Sequence, residues 1–214
     1  MSQVRARKPR VAVKRPSRTI SLEVPRDRTG LRVGPDAFWR LCALNPDLRL
    51  ERSARGESIA IPSAGSWTGL PNGDLGLQVA TWSKADGRGH YFDSSAGFTL
   101  PDGAIRGPDA AWILRERWEA VPLALRERFA PACPDFVVEL TSPSDKKNLG
   151  SLRRKMRDYL VNGSRLGWLL DPRSGLAEIY RPGRDVESLI RPTTLSGEDV
   201  LPGFVLDLRG ILFD

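Results

Sequence analysis

Two acidic residues stand inside apolar runs near the middle of the chain, and a basic helical segment follows them. Asp109 belongs to the run 108–114 and Glu139 to the run 134–140. A carboxylate buried in such a run is unfavourable unless a cation or hydrogen-bond donors compensate its charge. A divalent cation is one such partner. The pair therefore predicts a metal site of the kind that hydrolyses phosphodiesters.

The two acids must come from neighbouring strands if they are to share one ion. Facing carboxylates on adjacent strands lie close enough for this. Two carboxylates, a backbone carbonyl and waters suit Mg²⁺ or Mn²⁺. Such an ion would neutralise the acids, bind a phosphate oxygen and acidify an attacking water. Asp109, Glu139 and the carbonyl of Leu140 are therefore the predicted metal ligands.

A helix predicted over residues 145–162 supplies the third element, and Gly163 is expected to end it. Its buried stripe repeats at three and four residues and consists of Leu149, Leu152, Met156 and Leu160. Lys155 lies on one edge of this stripe and Arg153 on the other, so spacing alone leaves both as candidates. Arg154 is expected to point away. An ammonium at the strand ends would orient the attacking water or stabilise the transition state.

Each candidate also has an interpretation without chemistry. Asp109 could cap a turn, Glu139 could be a buried acid paired with an arginine, and Lys155 could be an ordinary surface lysine. Glu51 could join the metal site as an extra acid, although a solvent-facing strand position is favoured for it. Asp135 is expected at the solvated end of its strand.

Strands and helices are mixed along the chain, which favours a mixed-sheet α/β or α+β domain. The predicted elements that position the candidates are a hairpin over 48–61, a loop over 63–72, a helix over 74–82, and strands over 166–170 and 176–180.

Length and composition restrict the class of protein. The chain has 214 residues with 40% hydrophobic content, enough for one domain with a core. It has no apolar stretch long enough to cross a bilayer and no secretory signal, so a cytoplasmic protein without membrane contact is expected. His90 is the only histidine, which excludes a multi-histidine metal site and disfavours Ser-His or Cys-His catalysis.

The net charge of +7 is concentrated at the N-terminus. Residues 1–18 carry seven of the 33 basic residues and no acid, which leaves 26 basic residues to balance 26 acids. Residues 1–20 are predicted to be a disordered basic arm, and residues 21–214 a single domain. The arm would contact a polyanion or, alternatively, act as a solvated tail.

A series of short motifs extends over most of the chain, from about Phe38 to Leu208. Lys155, Met156, Tyr159, Asn162 and Gly163 belong to it, together with the segments NPDLRLER (45–52), FDSSAGF (92–98), PDAAW (108–112), PDFVVELTSPSD (134–145), GWLLDP (167–172), IYRPG (179–183) and LPGF (201–204). In this order and spacing they resemble the Uma-two endonuclease family. This is a group of bacterial proteins with the restriction-endonuclease-like PD-(D/E)XK fold.

The resemblance implies roles for the candidate residues. Asp109 corresponds to the motif aspartate and Glu139 to the second metal-binding acid. The PD-(D/E)XK pattern places a lysine two residues after that acid, where this chain has Thr141. Similar family members carry a helical lysine instead. Lys155 matches that lysine, which decides the choice against Arg153.

The resemblance also implies a fold and an activity. The expected fold is α/β, with a restriction-endonuclease-like mixed central sheet flanked by helices and an extra N-terminal hairpin. The expected activity is Mg²⁺- or Mn²⁺-dependent endonuclease cleavage of DNA, with Asp109, Glu139 and Lys155 as catalytic residues and Glu51 as an extra acid. A homodimer would let two single-strand cuts become a double-strand break. The alternatives are a non-catalytic nucleic-acid-binding module and a partner-binding protein with a decayed site.

Overall fold

In a computed structural model of the protein, the structure describes residues 32–61, 66–142 and 149–212. The predicted basic arm at 1–20 and the predicted start of the basic helix at 145–148 lie outside the described residues. None of the described helices is long and apolar enough to cross a membrane.

The described residues form five helices and twelve strands. The helices are α1 (Pro35–Leu44), α2 (Ser66–Asp86), α3 (Arg115–Glu119), α4 (Leu123–Arg126) and α5 (Leu149–Val161). The strands are β1 (Arg49–Arg52), β2 (Ser58–Ile61), β3 (Gly89–Asp93), β4 (Phe98–Thr99), β5 (Ile105–Arg106), β6 (Ala110–Leu114), β7 (Phe136–Leu140), β8 (Leu166–Asp171), β9 (Leu176–Tyr180), β10 (Glu187–Ile190), β11 (Thr194–Ser196) and β12 (Val205–Asp207).

A six-stranded sheet in the order β10-β9-β8-β7-β6-β3 forms the centre of the protein. Strands β7 and β8 run parallel, and the other neighbouring pairs run antiparallel. The parallel pair is connected through α5, because parallel neighbours need a crossover connection. The predicted α/β class with a mixed central sheet is confirmed.

The two faces of the central sheet are covered by different helices. Side chains alternate between the faces along each strand. Phe136 and Trp168 pack in one buried cluster with Leu75 of α2. Val137 packs in a second cluster with Met156 of α5. Glu139 follows Val137 by two residues, so its side chain lies on the α5 face.

Helix α5 ends as the sequence predicts. Gly163 has a φ of +112°, a conformation that glycine adopts without steric cost. Its N–H donates to the carbonyl of Leu160, and the N–H of Ser164 donates to that of Tyr159, which is the Schellman pattern. A Cβ at Gly167 would lie 2.6 Å from Cε of Met156, so this glycine permits the close approach of α5 to β8.

The predicted N-terminal hairpin is present as β1 and β2, with Glu51 opposite Ile59. It belongs to a second sheet in the order β2-β1-β5-β4. Strand β5 pairs with the second edge of β1 through Arg52 and Ile105. Strand β1 is therefore internal to its sheet rather than an exposed edge.

The predicted loop over 63–72 is wrong for residues 66–72, which form the first turns of α2. Glycine, serine and proline in this segment suggested a loop. The buried residues of α2 include Thr68, Pro71, Leu75 and Val79, spaced three or four residues apart. Packing of this stripe against the rest of the protein outweighs the weak helix propensity of the segment.

Candidate active site

Asp109 and Glu139 come from adjacent strands of the central sheet. Asp109 lies directly before β6, and its N–H donates to the carbonyl of Val138 at 3.0 Å. The register pairs Ala110 with Val138. Asp109 directly precedes Ala110 and Glu139 directly follows Val138, so both acids lie at the same end of this strand pair. The strand adjacency that shared metal binding requires is therefore present.

The Asp109 carboxylate is hydrogen-bonded to the neighbouring strand β7 and does not simply cap a turn. Its Oδ2 accepts from the N–H of Leu140 at 2.8 Å. Its Oδ1 lies 3.4 Å from Nη1 of Arg49. The Asp109 side chain is 15% exposed, so it still has access to solvent.

Glu139 is almost completely buried and pairs with a lysine, not with an arginine. Its Oε1 lies 2.7 Å from Nζ of Lys155 and accepts from the hydroxyl of Tyr159 at 3.1 Å. Burial raises the pKa of Glu139 to about 7, against the opposing effect of Lys155. The negative charges of Asp109 and Glu51 act in the same direction as burial. The negative charge of this cluster is thus only partly balanced by Lys155.

Lys155 reaches the strand ends from α5, and the surface-lysine interpretation is wrong. Its Nζ lies 2.6 Å from Oε1 of Glu51 and 3.3 Å from the carbonyl of Gly107, in addition to its contact with Glu139. Only 11% of the side chain is exposed. Burial alone would lower the pKa of Lys155, but the charges of Glu139 and Glu51 outweigh it and raise this pKa above its ordinary value. Lys155 is therefore an ammonium at neutral pH.

The predicted solvent-facing position of Glu51 is wrong. The residue is 2% exposed, because β1 is internal to its sheet and α5 brings Lys155 against it. Burial acts to raise the pKa of Glu51, but the charges of Lys155 and Arg106 outweigh it and hold the pKa below its ordinary value. The N-terminal hairpin is thus a wall of the candidate site rather than an addition to the fold.

The neighbouring arginines of α5, Arg153 and Arg154, have different surroundings from Lys155. Arg153 donates from Nε to both carboxylate oxygens of Glu178 on β9, at 2.9 and 3.1 Å. Arg153 does not line the cavity that contains Lys155. Arg154, which was expected to point away, lines that cavity. Its side chain is exposed, as expected for a residue that points away from the buried stripe of α5.

The second Pro-Asp pair of the sequence lies at the opposite end of β7. Asp135 is 1% exposed rather than solvated. Its carboxylate contacts Nη1 of Arg117 at 2.6 Å and accepts from the N–H of Leu114 at 2.9 Å. Asp135 therefore fixes the start of β7 against the end of β6, and the prediction of a solvated strand end is wrong.

A cavity of about 580 Å³ contains the whole cluster. Its walls are the β1–β2 hairpin, the start of α2, the strand ends at Asp109 and Glu139, and one side of α5. The charged residues that line it are the acids Glu51, Asp109, Glu139 and Asp158 and the bases Arg49, Arg106, Arg154, Lys155 and Arg157. Acids at the strand ends with cations around them suit a phosphate ester bound beside a metal ion.

The oxygen donors present are suited to a hard divalent cation. Among residues 32–61, 66–142 and 149–212, no group of three or more His, Cys, Asp or Glu is arranged to hold a metal ion. An ion here would take carboxylate oxygens from Asp109 and Glu139, and Leu140 also lines the cavity. Mg²⁺ commonly binds through one or two carboxylates and keeps several waters. The donor set therefore fits Mg²⁺ or Mn²⁺.

The sequence patterns indicate no role for Arg49 and Arg106, and they indicate Glu51 only as an extra acid. A partial signal existed for two of them. Alternation over 48–52 places Arg49 and Glu51 on one face of the strand, and both line the cavity. No pattern in the sequence shows that this face is buried.

Comparisons with known proteins identify the family of the chain and a structure with the same fold. The model of the Uma2 family, described as "Putative restriction endonuclease", matches residues 35–209. A crystal structure described as "a putative nuclease belonging to DUF820" from Anabaena variabilis ATCC 29413 matches with a TM-score of 0.64 and 18% identity. The match covers 76% of this chain and 89% of that one, and at this identity it shows a common fold. No curated protein matches the chain.

Proposed function

The chain belongs to the Uma2 family, and on that premise we propose that it is a metal-dependent endonuclease that hydrolyses DNA phosphodiester bonds. One observation carries the proposal beyond the family's general description. The ammonium of Lys155 lies 2.7 Å from Glu139, in the cavity that Asp109 also lines. Two acids on adjacent strands with a buried ammonium beside them supply the groups that this hydrolysis needs.

In this proposal Asp109, Glu139 and the carbonyl of Leu140 hold Mg²⁺ or Mn²⁺. Such an ion, when bound, polarises a phosphate oxygen and lowers the pKa of the attacking water. The hydrogen bond from Leu140 N–H fixes the Asp109 carboxylate. Lys155 stabilises the negative charge that develops on the phosphate, because a buried cation interacts with it more strongly than water does.

We further propose how the rest of the chain takes part. Residues 21–214 form the nuclease-like domain, and residues 1–20 are a basic arm that contacts the DNA backbone. The proposed setting is the cytoplasm. A homodimer would place two active sites on the two strands of a duplex.

Supercoiled plasmid provides the test of the activity. The protein is expected to nick or linearise it with Mg²⁺ or Mn²⁺ and to leave it intact with EDTA. Salt-dependent DNA binding without cleavage under any metal condition would contradict the proposal and favour the non-catalytic binding module.

The affinity for Mn²⁺ is expected to increase as the pH rises from 6 to 8. Glu139 has a pKa of about 7, so its proton must leave before the carboxylate binds a cation. Below this pKa, each pH unit is expected to weaken binding by up to about tenfold. Isothermal titration calorimetry at pH 6, 7 and 8 measures the effect. Glu139→Gln is the control and is expected to bind weakly at every pH, whereas a pH-independent wild-type affinity would contradict the assignment.

Arg154→Ala is expected to weaken DNA binding without a large loss of the chemical step. Arg154 is exposed on α5 and lines the cavity. A side chain there contacts a flanking phosphate, so its removal is expected to reduce the salt dependence of binding by about one counterion. Fluorescence anisotropy with a labelled duplex at several salt concentrations measures this. Lys84→Ala, at the far end of α2, is the matched control, and an equal effect of both variants would count against a role for Arg154.

A further inference from the structure

We propose that Glu51 is a positioning residue that holds Lys155 in the active site and is not itself a metal ligand. This inference rests on the proposed function. It assigns the N-terminal hairpin a defined task, because Glu51 is the hairpin residue that contacts the ammonium. It also separates Glu51 from Asp109 and Glu139, the two acids that the sequence placed with it as candidates for one metal site.

Both carboxylate oxygens of Glu51 already have donors. Oε1 lies 2.6 Å from Nζ of Lys155 and accepts from the N–H of Gly107 at 3.1 Å. Oε2 lies 3.1 Å from Nη1 of Arg106. These three donors surround a side chain with 3% exposure. A cation at Glu51 would have to displace a lysine, an arginine or a backbone amide, and the displaced donor would lose a buried partner.

Arg106 ties this carboxylate to the helix that carries Lys155. While Nη1 of Arg106 contacts Glu51, its Nη2 contacts Oδ2 of Asp158 at 3.0 Å. Asp158 is three residues after Lys155, so it lies on a neighbouring position of the same side of α5. Gly107 adds a second connection, since its N–H donates to Glu51 and its carbonyl accepts from Lys155. The hairpin, the end of β5 and α5 are thus joined around one ammonium.

Lys155 contacts two carboxylates, and only one of them, Glu139, is also a proposed metal ligand. Glu139 stands beside Asp109, and its negative charge must be shared with any cation bound between those acids. Its attraction for Lys155 then weakens, because the cation neutralises part of the charge that holds the ammonium. Glu51 already has its partners in Lys155, Arg106 and the N–H of Gly107, so it keeps its contact with the ammonium. The ammonium therefore stays in the cavity through its contact with Glu51 when Glu139 binds a cation.

Manganese binding without DNA distinguishes a ligand from a positioning residue. Wild type, Glu51→Gln and Asp109→Asn are compared by calorimetric titration with Mn²⁺. We expect Asp109→Asn to weaken binding by about 100-fold or more, and Glu51→Gln by at most about tenfold, through loss of a nearby charge alone. Equal losses in the two variants would make Glu51 a ligand and overturn the inference.

Cleavage kinetics give the second measurement. Glu51→Gln is expected to lower kcat by about 10- to 100-fold with little change in the KM for DNA, because it acts on a group used in the transition state. In a Lys155→Met background the same change is expected to cause little further loss. Multiplicative losses in the double variant would show that Glu51 acts independently of Lys155 and would overturn the inference.

A second buried glutamate controls for effects on folding. Glu178 is 3% exposed and is bound by Arg153 and by the hydroxyl of Tyr180, outside the cavity. Glu178→Gln is the same chemical change and is expected to lower the melting temperature while kcat is retained. An equal loss of kcat in Glu51→Gln and Glu178→Gln would show that Glu51 only stabilises the fold, and would overturn the inference. A wild-type protein that neither binds Mn²⁺ nor cleaves DNA would instead overturn the proposed function itself.

Discussion

Asp109→Asn is expected to reduce DNA cleavage by about 1,000-fold or more. The cation contributes several kcal/mol of transition-state stabilisation, and each 1.36 kcal/mol corresponds to a factor of ten in rate. The amide oxygen can still accept the hydrogen bond that Leu140 N–H donates to Oδ2, so the strand pairing is expected to remain. Single-turnover cleavage of a labelled duplex measures the loss, and circular dichroism verifies the fold. Glu139→Gln is expected to behave in the same way.

Asp135→Asn is the matched control for this experiment. Both aspartates follow a proline, and both are hydrogen-bonded to a backbone N–H of the neighbouring strand. Asp135 lies at the other end of β7, however, and pairs with Arg117 outside the cavity. Its replacement is expected to lower stability while the cleavage rate is retained. If the control lost as much activity as Asp109→Asn, or if neither lost any, the assignment of Asp109 would be wrong.

Lys155→Met is expected to have the second-largest effect, on both activity and stability. Loss of the ammonium is expected to lower kcat by about 100- to 1,000-fold, the cost of removing one preorganised electrostatic group. It also leaves Glu51 and Glu139 buried without their shared cation. Breaking a buried ion pair in this way costs about 3–5 kcal/mol, or a melting-temperature decrease of about 10 °C for a chain of this size. Differential scanning calorimetry and cleavage kinetics measure the two effects.

The stability loss of Lys155→Met is expected to depend on pH. Without the lysine, the main effect that opposes burial at Glu139 is lost, so the pKa of this carboxyl group rises further above the value that it has in the unfolded chain. Groups with raised pKa values favour the folded state at low pH and lose that contribution as the pH rises. The variant should therefore be closer to wild type at pH 5 than at pH 8.

Arg153→Met is the control for the loss of a helical cation. Arg153 lies on the other edge of the buried stripe of α5 and pairs with Glu178 alone among the acids described. Its loss is expected to destabilise the protein without the large decrease in kcat. If Arg153→Met reduced cleavage as much as Lys155→Met, the choice of Lys155 over Arg153 would be wrong.

Much of the central sheet could be predicted from local patterns. The apolar runs around Asp109 and Glu139 are strands, and Gly163 ends the basic helix, because these features depend on neighbouring residues along the chain. The family resemblance is confirmed by a family model that matches residues 35–209. The roles of Asp109, Glu139, Leu140 and Lys155 in catalysis and metal binding stay predictions.

The errors have a common physical origin. Alternation showed which residues share a face of β1, but not that this face is covered by α5, so Glu51 was assigned to solvent. Asp135 was misplaced for the same reason, since Arg117 and the N–H of Leu114 come from another part of the chain. For residues 66–72, tertiary packing of α2 outweighed local propensity.

The sequence by itself determined that Glu139 would lie on a buried strand, that Asp109 would belong to a second apolar segment and that a basic helix would follow them. Helical spacing left Lys155 and Arg153 at equivalent edges of one stripe, and the family resemblance favoured Lys155. Only the tertiary structure showed that the ammonium of Lys155 contacts Glu139, because this contact depends on how α5 packs on the central sheet. The structure also brought in Glu51 from a second sheet, about 90 residues away along the chain from Glu139. Residue spacing specifies periodicity and burial within one element, whereas the convergence of charges from separate elements depends on how those elements pack.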